Sequence, residues 1–407
     1  MRYEVVVTQL WQAYAPSVGT PLELLYLDPA QAGVPWLLDP ESPDVMGGLR
    51  RASERKPTDS CDAAALSADV PDLLVLLRKR HFGLATGEVD GDGLDAWAAA
   101  WRHRLDADRP ATWGAALGTG MFQLRRLLRD GHVQAYGEDP NLLIAANPRA
   151  NEPTALDRDG PVLEEHIVDG VLALRIRRFH GTKDDDQILK DWAADHTRHF
   201  RFDRIVLDLR SNGGGNDTYC YDWMADHLPA ATMVAPDDRI WMVGDKYLGM
   251  WNAAVATTAT QGEDAVPSWL REGRPQPAPD AELAVVSGTD NHMPAGESPW
   301  TGQMLVLTDR RTGSSGESVA WMLREGLGAR VAGRPTAGVI RFGMAAPYLL
   351  PRSGLFLILP TKINYYPREV ELAGIPVDVD LSPVMPLEDV AVYFNRIWDR
   401  IGEADQA

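Results

Sequence analysis

The sequence predicts an α/β core whose β-sheet is covered on both faces, preceded by a small helical domain and an N-terminal appendage. Three observations carry this. Short apolar runs recur beyond about residue 150, in GVLALRI (170–176), RIVLDL (204–209), MLVLTD (304–309), ARVAG (329–333) and LFLILP (355–360). Strands that are apolar throughout, rather than alternating, are those buried on both faces. Segments of helical period fall between several of them, at 186–199, 219–227 and 317–326, which is the rhythm of an α/β sheet. Upstream, amphipathic helices are predicted at 70–80, 92–105 and 113–128.

Taken in order, residues 1–60 read as an appendage: a strand-like run at 3–8 gives way to prolines at 16, 21, 29, 35, 40, 43 and 57. Residues 61–150 hold the helical domain, 151–385 the α/β core and 386–407 a C-terminal helix. Within the core, 229–300 is rich in Pro, Gly and Asp without sustained period, so loops with short elements are expected there.

Charge and composition narrow the function. The 407 residues carry 40 Lys and Arg against 58 Asp and Glu, a formal net charge of -18, and a nucleic acid would approach against that field. Cys61 and Cys220 are the two cysteines, too few for a disulfide framework or a cysteine zinc site. No stretch reaches the ~18 apolar residues of a membrane span, and Glu4 interrupts the start of any signal-peptide core. A cytoplasmic protein is expected, with no membrane and no nucleic acid as partners. Assembly as a homo-oligomer is compatible with the sequence.

Three segments could carry chemistry. In MLVLTDRRTGSSGESVAWMLREG (304–326) a buried strand runs through a turn into a helix, with Glu317 in its first turn. A serine at such a turn lies beside free backbone N–H groups able to stabilise an oxyanion, although Ser and Gly are also ordinary caps. In RIVLDLRSNGGGN (204–216) a strand ends in three glycines, whose N–H groups can face a ligand; the spacing fits neither a dinucleotide nor a P-loop motif. In LLRDGHVQA (127–135) His132 follows a helix end and could act as a general base. Other features take plain readings. VDGDGLD (89–95) lacks calcium-loop spacing, Trp97, Trp101 and Trp113 suit a core, and the His196/His199 pair lacks a third metal ligand. No metal and no organic cofactor are expected.

The ordered series DGH, DLRSNGGG, TGSSGE, GRPTAG and ELAGIPVD, spread over roughly residues 66–385, resembles the tail-specific serine peptidases. These include C-terminal processing proteases, the tricorn core and retinoid-binding repeats. The resemblance implies a ClpP/crotonase-like core and a serine hydrolase that cleaves a peptide or peptide-like amide through an acyl-enzyme. An esterase or acyl transferase on a small peptide-like metabolite, or a catalytically silent ligand-binding member of the fold, are the alternatives. It implies Ser314 as nucleophile, with an oxyanion hole from Ser315 and from Gly213 or Gly214. Processing proteases place a lysine after the P-T-x-G turn; here Val339 follows Gly338. The resemblance is therefore to the tricorn-like branch, implying His132 as base and Glu371 as acid, with Glu369 the alternative acid. Gly131 stands where that branch has a serine. Fewer than 40 residues separate His132 from the strand near Gly170, so the inserted peptide-binding module of processing proteases is not expected.

Overall fold

The computed structural model describes residues 38, 42–85, 87, 89–138, 160–233, 241–242, 246–262, 292–364, 366–381 and 385–404. The strand-like run expected at 3–8 lies outside the described residues.

Four of the five apolar runs form one sheet. Its order is Val379–Asp380, Arg330–Gly333, Gln303–Thr308, Arg204–Asp208, Val171–Ile176 and Leu163–Val168. Neighbours are parallel except the last two, which are antiparallel. Successive residues of these strands enter different cores, as strand geometry requires. Leu172, Leu174, Ile205, Leu207, Met304 and Val306 pack with Trp192, Trp223 and Leu323 on one face. Val171, Ala173, Val206, Leu305 and Leu307 pack with Val390, Phe394 and Ile397 on the other. The first cover is helices Lys183–Ala194, Thr218–Met224 and Ser315–Leu327; the second is Leu387–Val392 and Phe394–Ala404. Two-sided cover is why these strands need apolar residues at every position.

LFLILP is not in this sheet, contrary to the sequence expectation. It belongs to Phe356–Ile363, which pairs antiparallel with Phe342–Leu349, with Gln134–Ala135 and with Trp241–Met242. Leu355, Leu357 and Leu359 close the core of the helical unit together with Leu73, Leu117 and Leu124, while Phe356 meets Leu49 and Val255 on the opposite face. The run is again apolar on both faces, which explains its deceptive composition.

In the helical unit, Ala63–Arg80 starts seven residues before the expected 70, because Asp62 caps it by accepting the N–H groups of Ala64 and Ala65 and the helix runs through Pro71. Helices Leu94–Asp108 and Trp113–Leu128 are joined by the indole N–H groups of Trp97 and Trp101, which donate to the carbonyls of Gly120 and Ala116. A 16-residue helix, Lys246–Gln261, occupies part of the stretch expected as loops. It is anchored by Asn252, which accepts the N–H of Leu38 and donates to the carbonyl of Pro347. No described helix is long and apolar enough to cross a membrane.

Asp69, fully buried on helix Ala63–Arg80, ties this helix to the turn before Phe356–Ile363. Its carboxylate accepts the N–H and hydroxyl of Ser353 at 2.7 and 2.6 Å, and the N–H and guanidinium of Arg352. Asp69→Ala is expected to destabilise the protein by about 2–3 kcal/mol, since it strands buried donors. Urea unfolding checks this; an unchanged midpoint would show the tie to be dispensable.

Candidate active site

The site forms at the C-terminal ends of the parallel strands, where open α/β sheets place their ligands. Two side chains knit the strand ends together. Asp309, after Gln303–Thr308, accepts the N–H and hydroxyl of Ser211 and the N–H groups of Arg311 and Thr312. Asn212, after Arg204–Asp208, donates from its amide to the carbonyl of Ile176 and accepts the N–H of Gly214; its own carbonyl accepts the N–H of Gly313. The glycine loop is thereby pressed onto the turn that carries Ser314.

Ser314 has φ 52° and ψ -121°, a conformation non-glycine residues rarely adopt. Among the described residues, Arg129, Ser211 and Leu372 also have positive φ and also flank this site, a clustering typical of functional turns. Gly214 (φ 106°) lies so close that a Cβ there would sit 2.8 Å from Ser314 Cβ and 2.9 Å from Ser315 N. Its N–H is already given to Asn212. Gly213 differs: no described residue accepts its N–H, and the space where its Cβ would be is open. The N–H of Ser315, first residue of helix Ser315–Leu327, likewise has no acceptor among the described residues, as expected at a helix start. Of the two glycines named from the sequence, Gly213 has the donor to offer.

His132 arrives from the helical unit. Helix Trp113–Leu128 ends at Arg129 in a left-handed conformation, and the chain then turns through Asp130 and Gly131. Beyond His132, Arg125 donates from Nε to the carbonyl of Val133 and pairs with buried Glu138, and Gln134–Ala135 pairs with Phe356–Ile363. His132 Nε2 thereby lies 3.3 Å from Ser314 Oγ, across 182 residues of sequence.

The two expected acids separate. Glu369 is exposed in the 3-10 turn Arg368–Val370, and the structure does not bring it to the site. Glu371 is buried, but its hydrogen bonds go to backbone: it accepts the N–H groups of Ile340 (3.2 Å), Arg341 (2.9 Å) and Gly131 (3.4 Å). The carboxylate beside the His132 ring is Asp130, whose Oδ1 is 3.8 Å from Nδ1. Asp130 and its partner His81 were not singled out from the sequence. Glu317 does more than favour a helix dipole. It is fully buried and accepts four donors: Ser314 N–H (3.1 Å), Thr336 hydroxyl (2.5 Å), Gly338 N–H (2.9 Å) and Val339 N–H (2.8 Å).

The side chain of Val339 explains the glycine before His132. A Cβ on Gly131 would lie 2.0 Å from Val339 Cγ1, so a serine at 131 requires the Val339 side chain to give way. Gly131→Ser is expected to cost about 1–3 kcal/mol by overpacking, and Val339→Ala in the same chain to recover most of it. Additive losses in urea unfolding would disprove the pairing.

The sequence profile of peptidase family S41 matches residues 170–381, more than half of the 407 residues. The chain belongs to peptidase family S41. The S41 match takes in the glycine loop, Ser314, Glu317 and Glu371 and stops short of His132. Mature CPAF complexed with lactacystin is 12% identical, aligned over 84% of this chain and 98% of that one, with a TM-score of 0.52. Mature CPAF is also 12% identical, over 83% and 96%, with a TM-score of 0.50. A lipoprotein from Streptococcus agalactiae is 13% identical over 82% and 95%, with a TM-score of 0.43. At these identities the CPAF likeness speaks for the fold, which is that of the S41 peptidases. No curated protein matches the chain.

Proposed function

We propose that this S41 member is a serine hydrolase that cleaves a peptide or peptide-like amide through an acyl-enzyme. The observation that carries the reading is the approach of His132 Nε2 to Ser314 Oγ at 3.3 Å, at a serine held in a rare backbone conformation where a strand meets a helix. His132 takes the hydroxyl proton as Ser314 Oγ attacks the carbonyl carbon. The carbonyl oxygen gains the negative charge and is stabilised by the N–H groups of Ser315 and Gly213. On collapse the C–N bond breaks and the amine leaves with the proton that His132 held. Water then repeats the sequence on the ester, releasing the acid and restoring Ser314.

A fluorophosphonate probe tests this without a known substrate. Covalent labelling is expected at Ser314, located by peptide mass, and is expected to vanish in Ser314→Ala. A folded wild-type protein that takes no label would overturn the reading and favour a ligand-binding member of the fold.

A further inference from the structure

Behind His132 lies a second pair of titratable side chains, His81 and Asp130. Both are fully buried. His81 follows helix Ala63–Arg80 as its cap, and its Nδ1 accepts the N–H of Leu84 at 3.3 Å. The proton of a neutral His81 is therefore on Nε2, which donates to Asp130 Oδ2 at 3.0 Å. Asp130 Oδ1 accepts the backbone N–H of His132 at 2.7 Å and lies 3.8 Å from His132 Nδ1. Ser314, His132, Asp130 and His81 thus form one line running from the nucleophile turn to the end of helix Ala63–Arg80.

We propose that Asp130 is the positioning residue that keeps the His132 proton on Nδ1 and steadies the imidazolium, that His81 locks Asp130 in place, and that Glu371 acts on backbone alone. This rests on the Ser314–His132 reading above. Among the described residues, the titratable groups around His132 include Asp130 on its own turn, Ser314 opposite, Glu371 reached through the N–H of Gly131, and Glu317 behind Ser314. Burial first, and then the nearby Asp130 charge, hold the Glu371 carboxyl well above the usual carboxylate range. Two carboxyls in one buried neighbourhood do not both ionise readily. Asp130 lies 3.8 Å from His132 Nδ1 and is fixed by donors at 2.7 and 3.0 Å, whereas the hydrogen bonds of Glu371 go to the backbone N–H groups of Gly131, Ile340 and Arg341. The 3.8 Å gap exceeds a hydrogen bond, but such distances tighten once substrate fills a site. During acylation the Ser314 proton moves to Nε2 while Nδ1 keeps its own, so no proton passes to Asp130.

The pH dependence of fluorophosphonate labelling tests this in wild type, Asp130→Asn and Glu371→Gln, with Ser314→Ala and His132→Ala as controls. Asp130→Asn is expected to lose about 10³-fold or more in rate. Its pH midpoint should fall by about one to two units, because a negative neighbour of the imidazole is gone. Glu371→Gln should leave the midpoint in place. The proposal is overturned if folded Asp130→Asn labels within about threefold of wild type with an unmoved midpoint, or if Glu371→Gln moves it instead. Undiminished labelling in His132→Ala would instead sink the Ser–His reading itself. If Asp130→Asn does not fold, nitrogen-resolved NMR of histidine-labelled wild type decides. The Nδ1–H tautomer is expected for neutral His132, and the Nε2–H tautomer overturns the proposal.

Discussion

His132→Ala should slow acylation of Ser314 by about 10³-fold or more, with the fold intact. The imidazole lies within reach of the hydroxyl, at 3.3 Å, and an unassisted serine is a weak nucleophile at neutral pH. Because base and nucleophile act as a unit, their losses should not add. With para-nitrophenyl acetate as a simple acyl donor, Ser314→Ala, His132→Ala and the double variant should all fall to about the same residual rate. His132 is almost covered, at 9% exposure, but its turn is also held by Asp130, Arg125 and the pairing of Gln134–Ala135, so unfolding midpoints should shift little. A double variant much slower than either single one would mean that the two residues serve separate steps.

Glu317→Ala should destabilise the protein by about 3–5 kcal/mol and also silence Ser314. Its carboxyl joins two stretches of chain: the nucleophile turn through Ser314, and the following loop through Thr336, Gly338 and Val339. Removing it leaves three backbone N–H groups and a hydroxyl without an acceptor and unpins the serine. The pH dependence adds a second signature. Burial pushes the Glu317 carboxyl up to about 7, against the hydrogen bonds that favour its charged form. The native state therefore binds this proton more tightly than the unfolded chain does. The associated stability is complete below the ordinary carboxylate range and is lost as pH rises through about 7. The loss amounts to about 3 kcal/mol, from ~1.4 kcal/mol per pH unit. Glu317→Gln cannot titrate, so the stability gap between wild type and this variant should narrow from pH ~4.5 to pH ~7. A gap independent of pH in urea unfolding would show that the carboxyl is not raised.

Much of this architecture is legible in the sequence for identifiable reasons. Strands such as Val171–Ile176 and Gln303–Thr308 are apolar throughout because helices cover both their faces. The same rule misleads at Phe356–Ile363, which also has two dry faces but lies between the helical unit and helix Lys246–Gln261. That helix escapes the eye because NAAVATTATQ has little amphipathic contrast; its small residues Val255, Ala256 and Ala259 pack close to Leu349. At the site, Ser314, His132 and the glycine loop stand on motifs, and the structure brings them together. Asp130 is hidden in plain view, since Asp-Gly after a helix reads as a stop signal. His81 lies 49 residues from Asp130, and only tertiary packing makes them partners. Glu371 has the burial expected of a network acid, but three backbone donors claim it.

The register of Gln134–Ala135 against Leu357 and Ile358 has a bearing on how the molecule comes to life during synthesis. The helices that present His132 are made early, yet the apolar face formed by Leu73, Leu117 and Leu124 is completed by Leu355, Leu357 and Leu359, which leave the ribosome much later. Contacts of such sequence separation form slowly, after loop-closure entropy has been met. The nascent amino-terminal portion therefore waits with a sticky surface exposed, a natural point for chaperone engagement. Ser314 precedes these late strands in the chain, so the residues that complete the core of the His132 unit are made after the nucleophile.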